Sequence, residues 1–270
     1  MNNRLGTPLL SSILLGEGLP VILIHGIASS ALGWSSLQSD LAAADYQAIA
    51  PDLIGHGDSF KPEEPDHYHV KELFQTFEAW IESLQISQHF SLVGHSLGGH
   101  LSLQYCLYHP ERVRCLILID PFYSPRQLSP AIRLLYRRPE FGVQALKRAS
   151  EQSIRAAVGL GAAVSGRFSP EFRQQIVLDI KRAAPEILHI LPTVPDLSPF
   201  LPQIPTRTLV IWGNRDLTLL PSSFPKIVAA LPDATSEKIK YCGHQPHLSR
   251  PDLVNPFITA FLEENYRTAS

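Results

Sequence analysis

Short runs of consecutive apolar residues recur along the chain, and most are followed by a stretch in which apolar positions return every three or four residues. Runs at 21–24, 46–50, 90–93 and 113–119 are too short for helices and predict buried strands, with helical periodicity over 31–43, 70–84 and 97–108 between them. Near the end, 208–212 and 237–242 read as strands and 251–264 as a last helix. The apolar stretch 8–15, broken by Ser11-Ser12 and ended by Gly16-Glu17-Gly18, predicts a strand and turn that open an N-terminal hairpin. Strands alternating with helices imply an α/β fold, a mostly parallel central sheet flanked by helices on both faces.

The alternation stops between about 121 and 205, where helical patterns are interrupted by many prolines. This predicts a core made of 1–120 and 206–270, with 121–205 inserted as a helical cap. The insertion also differs in charge: residues 121–200 carry eleven Lys or Arg against six Asp or Glu, +5, so the rest carries −7 of the total −2. That balance fits a solvated helical surface, or a cap attracting an anionic substrate, a partner or a membrane surface.

A net charge of −2 leaves no basic footprint for nucleic acid, and none is expected as a partner. No run approaches the roughly 20 apolar residues that span a bilayer, and the N-terminal stretch lacks the form of an export signal. Cys106, Cys115 and Cys242 cannot all pair and lie in apolar surroundings, which points to a reducing, cytoplasmic setting.

The chemistry is concentrated at strand ends. Gly94-His95-Ser96-Leu97-Gly98-Gly99 follows a buried strand and opens a helix, so Ser96 would stand on a tight turn whose neighbours must be small. The helix start would offer the Leu97 N–H to a developing oxyanion, and the loop His25-Gly26-Ile27 after the first core strand would bring the Ile27 N–H beside it. Ser96 needs a base. His244, in Cys242-Gly243-His244 after the last strand, can face it from a strand end, whereas His25, His95 and His247 are expected to line the substrate pocket. His56 belongs to a turn-rich loop that Asp52 and Asp58 would tie down. The orienting acid is Asp216, which follows the strand before the one leading to His244, with Asp120 as the competitor at another strand end. Cys and His lack zinc-ligand spacing and the glycines form no phosphate loop, so neither metal nor organic cofactor is expected.

The stretches Leu23-Ile24-His25-Gly26, Asp52-Leu53-Ile54-Gly55-His56-Gly57-Asp58-Ser59, Val93-Gly94-His95-Ser96-Leu97-Gly98-Gly99, Pro110-Glu111-Arg112-Val113, Trp212-Gly213-Asn214-Arg215-Asp216 and Gly243-His244 jointly resemble the α/β-hydrolase superfamily. The resemblance covers nearly the whole chain. It implies Ser96 as nucleophile, Asp216 as acid, His244 as base, Ile27 and Leu97 as oxyanion hole, and 121–205 as the cap. One departure is that the N-terminal strands are compressed, so the first edge strand is expected to be short or absent. Ser96, where some relatives carry Asp, argues against dehalogenase and epoxide hydrolase chemistry. The expected activity is hydrolysis of a small carboxylic ester or related acyl compound. Alternatives with the same residues are carbon–carbon bond hydrolysis or a lyase or synthase reaction on an acidic small molecule, perhydrolysis, and a small-molecule receptor with a nearly idle triad.

Overall fold

A computed structural model describes residues 10–165 and 169–267. Among them, one sheet contains β1 (Ser12–Leu15), β2 (Leu19–Ile24), β3 (Tyr46–Pro51), β4 (Phe90–His95), β5 (Val113–Ile119), β6 (Thr208–Gly213) and β7 (Ala234–Ile239), in the order β1-β3-β2-β4-β5-β6-β7. All neighbours are parallel except β1, which runs antiparallel to β3. The expected N-terminal hairpin is therefore corrected: β1 is a short edge strand on β3 and does not pair with β2. Residues 8 and 9 of that stretch lie outside the described residues.

Two-residue alternation sorts the strand side chains into two cores. Val21, Leu23, Val93, Ile117 and Ile211 pack against α1 (Ser35–Ala43) and α10 (Pro251–Arg267) through Leu37, Leu41, Val254, Ile258 and Leu262. Ile22, Ile24, Leu92, Leu116, Leu118 and Val210 face α2 (Val70–Ser83), α3 (Leu97–Tyr108) and α8 (Phe224–Ala230). Because both faces are covered, the central strands carry apolar residues on both sides, which is why most of their length reads as runs. In α2, Val70, Leu73, Phe74, Phe77, Trp80 and Ile81 repeat at helical spacing and are its buried residues. The first turn of the predicted 31–43 helix is 3-10, over Ala31–Trp34.

Two expectations shift. β7 begins three residues before the predicted 237 and ends at Ile239; as an edge strand its Thr235, Ser236 and Lys238 are exposed, and the apolar residues up to Cys242 belong to the turn after it. The helix α8, which the pattern leaves without an element, is only seven residues long, and a four-residue α9 (Pro246–Ser249) precedes α10.

Between β5 and β6 the chain forms α4 (Pro130–Arg137), α5 (Pro139–Arg148), α6 (Glu151–Ser165) and α7 (Pro170–Arg182), then 3-10 turns at Pro185–Thr193 and Leu201–Gln203. Prolines that interrupt the pattern here open the helices α4, α5 and α7, where a missing N–H costs nothing. The segment is tied to the loops of the sheet's carboxyl edge: Ala184 N donates to the Gly55 carbonyl at 2.8 Å and Ser30 Oγ donates to Asp179 Oδ1 at 2.7 Å. Burial, the first cause, pushes the Asp179 carboxyl up to about 6.

Candidate active site

The chain moves outward from β2 to β3 on one side and to β4 on the other, so the loops leaving β2 and β4 diverge and open a crevice at their carboxyl ends. Ser96 stands there with φ at 52, between β4 and α3. Its main chain is held on three sides: its N–H donates to Ile119 at 3.0 Å, and its carbonyl accepts from His100 N at 3.1 Å and Phe122 N at 3.0 Å. The flanking glycines have a steric reason. A Cβ at Gly98 would lie 2.1 Å from the Ile24 carbonyl oxygen, and one at Gly94 would lie 2.6 Å from the Gly98 carbonyl oxygen. Only without those carbons can α3 begin against the end of β2, which brings the Leu97 N–H to the loop after His25.

That loop is held by two neutral imidazoles. Leu53 N donates to His25 Nε2 at 2.9 Å, so Nδ1–H of His25 donates to the Gly26 carbonyl at 2.7 Å. Ala28, at φ 55, donates its N–H to His56 Nε2 at 3.1 Å, leaving Nδ1–H of His56 for the Ile54 carbonyl at 2.9 Å. Burial lowers His25 to about 4 and His56 to about 3, so both keep these tautomers at neutral pH. Asp52 completes the frame, accepting Ala31 N at 2.7 Å through Oδ1 and Asp58 N at 2.8 Å through Oδ2. Asp58 itself pairs with Arg182 of α7.

On the other side, the loops after β6 and β7 are laced together, with Arg215 N donating to the Cys242 carbonyl and Tyr241 N to Asn214 Oδ1, both at 2.7 Å. This lacing places His244 over the edge. Its Nε2 is 3.0 Å from Ser96 Oγ and its Nδ1 is 2.7 Å from Asp216 Oδ2. A carboxylate only accepts, so Nδ1 carries the proton and Nε2 is free to take one from the hydroxyl. The remaining oxygen of Asp216 accepts Thr218 N at 2.7 Å and Leu219 N at 3.0 Å.

His95 and His247, expected with His25 along the pocket, lie buried beneath the rim. His95 Nε2–H donates to the His244 carbonyl at 2.7 Å, its ring packs 4.6 Å from His247, and His247 stacks 4.6 Å from Trp34. Burial holds His95 well below the usual imidazole range and His247 at about 3. Their contacts are to backbone and to other rings because their elements point inward beside Ser96 and His244. One supporting residue escapes sequence reasoning: His100 reaches the Phe122 carbonyl at 3.2 Å from one turn after Ser96, and that spacing was its only signal.

Asp120, the competing acid, ends β5 with φ at 40 and accepts Gly213 N at 3.1 Å through Oδ1. Asp120, Asp216 and His244 each bring one donor atom within 4.8 Å of the others, the one such cluster among the described residues. Two of these residues are already bonded to each other, through Asp216 Oδ2 and His244 Nδ1. Among the described residues no helix is long and apolar enough to cross a membrane.

A crevice at a switch point, a serine on a strand-to-helix turn and an imidazole between hydroxyl and carboxylate define a class of fold and site. The profile of the alpha/beta hydrolase fold matches residues 20–251. The chain belongs to this family and is an enzyme of it. It is 26% identical to a cis-3-alkyl-4-alkyloxetan-2-one decarboxylase of Shewanella oneidensis, over 94% of this chain and 85% of that protein. It is 27% identical to a 2-hydroxy-6-oxo-6-phenylhexa-2,4-dienoate hydrolase of Burkholderia cepacia, over 92% of this chain and 88% of that protein. A thermophilic esterase from Thermogutta terrifontis superposes with a TM-score of 0.79 at 23% identity, over 95% of this chain and 93% of the other.

Proposed function

We propose that the chain is a serine hydrolase of small carboxylic esters or related acyl compounds, with Ser96 as nucleophile, His244 as base and Asp216 as orienting acid. The observation that carries this reading is the unbroken relay from Asp216 Oδ2 through His244 to Ser96 Oγ, at 2.7 and 3.0 Å. His244 Nε2 takes the hydroxyl proton as Oγ attacks the substrate carbonyl, and the imidazolium that forms is stabilised by Asp216. The N–H groups of Ile27 and Leu97 hold the oxyanion; each such donor is worth about 3 kcal/mol of transition-state stabilisation. His244 then hands its proton to the departing alkoxide, leaving an acyl group on Ser96. Water, deprotonated by His244, attacks that ester and releases the carboxylic acid, which restores the hydroxyl. No step needs a metal or organic cofactor. Residues 121–205 act as the cap over the crevice. Free, buried Cys106, Cys115 and Cys242, pushed up to about 12, 11 and 11 by burial, support a reducing, cytoplasmic setting.

A second reading, favoured by the similarity to the Burkholderia cepacia dienoate hydrolase, uses the same residues to cleave a carbon–carbon bond in an acidic substrate. Aryl esters with short and medium acyl chains separate the two. Turnover by the intact protein, lowered at least ~1,000-fold in Ser96→Ala, supports the ester reading. Ester turnover no faster than the uncatalysed reaction, together with cleavage of a vinylogous diketone acid, assigns the carbon–carbon reading. Labelling by a fluorophosphonate that survives Ser96→Ala sinks both.

A further inference from the structure

Asp120 has no task in this relay, yet its side chain is completely buried at the end of β5. Its own N–H is spent on the Ile211 carbonyl at 2.9 Å, and Oδ1 accepts the Gly213 N–H at 3.1 Å. Oδ2 is sealed from solvent and, among the described residues, no N–H or hydroxyl donates to it; the carboxyl of Asp216 lies against the Asp120 side chain. As a bare carboxylate oxygen it would be a buried charge with nothing donating to it, a costly arrangement. The groups that face it are Asp216 from the loop after β6, and Cys242 and His244 from the loop after β7; no cation among the described residues acts on it.

Two carboxyl groups this close, cut off from water and without a cation, hold one proton between them. The donors decide where it goes. Asp216 accepts three N–H groups, from Thr218, Leu219 and His244, whereas Asp120 accepts one. Each of these bonds favours a charged acceptor, so the charge settles on Asp216 and the proton on the unpartnered oxygen of Asp120. We infer that Asp120 is a reserve carboxyl beside the triad, a neutral carboxylic acid that takes no part while Asp216 is charged, turns its free oxygen to Asp216 and becomes the orienting anion when Asp216 loses its charge. Burial, reinforced by the Asp216 charge, pushes the Asp120 carboxyl well above the usual carboxylate range, in the same direction. The arrangement leaves one negative charge beside His244, and it equips the site with a second carboxyl at the competing strand end.

The kinetic part of the inference rests on the serine hydrolase reading; the protonation state does not, so the test has two arms. In the first, infrared difference spectra of protein carrying carboxyl-labelled Asp show a protonated, buried carboxylic acid at neutral pH. That band is absent in Asp120→Asn, unchanged in Ser96→Ala, and titrates at lower pH in Asp216→Asn, where the neighbouring charge is gone. In the second, Asp120→Asn, whose amide replaces the acid's donor and acceptor, changes aryl ester kcat by less than ~3-fold. Asp216→Asn loses about 100-fold, against the ~10,000-fold expected when a sole orienting carboxylate goes, and its residual rate rises with pH as Asp120 sheds its proton. Adding Asp120→Asn to Asp216→Asn removes about another 100-fold. No protonated carboxyl at neutral pH, a single Asp120→Asn as damaging as Asp216→Asn, or equal residual rates in Asp216→Asn and the double variant would each overturn the inference. If Asp120→Asn does not fold, the lowered titration of the band in Asp216→Asn decides. A chain that turns over no ester removes the ester reading and leaves the infrared arm intact.

Discussion

His25 shows how a buried ring sets the geometry of the crevice. Its Nδ1–H holds the Gly26 carbonyl at 2.7 Å, and in a planar trans peptide the Ile27 N–H then points the opposite way. Truncation to His25→Ala frees that peptide to rotate and leaves the Leu53 N–H without its buried acceptor. The expected result is a 10- to 100-fold drop in aryl ester kcat with KM within ~3-fold, because an oxyanion donor acts only in the transition state. Stopped-flow turnover measures it, and a raised KM with intact kcat would show that the ring binds substrate instead. The same residue marks the limit of reading single positions. Ser96, His244 and Asp216 are legible because each ends a strand pattern beside small or turn-forming neighbours. An imidazole, however, donates, accepts or ligates equally well, and nothing local says whether it faces a pocket or the protein interior. His25, His95 and His247 therefore read as pocket residues although all three are buried. Asp120 and Asp216 are likewise equivalent in sequence, since both follow strands; only the distance to His244 Nδ1 separates them.

At the scale of elements, the strands covered on both faces were legible as unbroken apolar runs, and α2 and α3 as the helical repeats beside them. The edges were not. β7 has Thr235, Ser236 and Lys238 exposed, so its pattern is too polar to place, and the apolar residues that mimic it fall in the turn carrying Tyr241 at φ 56. Pairing of β1 with β3 is a long-range choice that no local signal encodes. The junction of β2 with α3 is the contact that matters for chemistry, and it depends on a missing carbon. Gly98→Ala places a Cβ 2.1 Å from the Ile24 carbonyl oxygen, which is backbone in a central strand and cannot yield. The helix must withdraw, taking the Leu97 N–H with it. A cost of about 3 kcal/mol corresponds to a melting temperature lower by roughly 6–12 °C in a chain of this size. Fluorophosphonate labelling should slow in parallel, whereas Gly159→Ala, whose added carbon meets nothing within 4 Å outside its own helix, should lower neither. A Gly98→Ala protein that melts and labels like the parent would mean that α3 does not abut β2 as described.

The whole molecule carries an unusual store of buried neutral imidazoles around one crevice, and this gives its stability a definite pH dependence. Burial lowers His25 and His100 to about 4, His56 and His247 to about 3, and His95 well below its ordinary 6.5. A group whose folded value is depressed binds its proton first in the unfolded chain, so all five favour unfolding as pH falls below 6.5. Two carboxyls act the other way, since burial raises Asp120 well above 3.8 and Asp179 to about 6, and their folded forms hold protons that the unfolded chain has released. Near pH 5 the balance is five less two, or about three protons taken up on unfolding, a slope of about 4 kcal/mol per pH unit. Against a typical stability of roughly 5–15 kcal/mol, the fold should be lost within about one to four units below pH 6.5. Urea titrations at pH 7, 6 and 5 and constant ionic strength give that slope directly. A stability that stays level from pH 7 to 4.5 would mean that these rings reach water, and that the neutral frame described for the crevice does not hold.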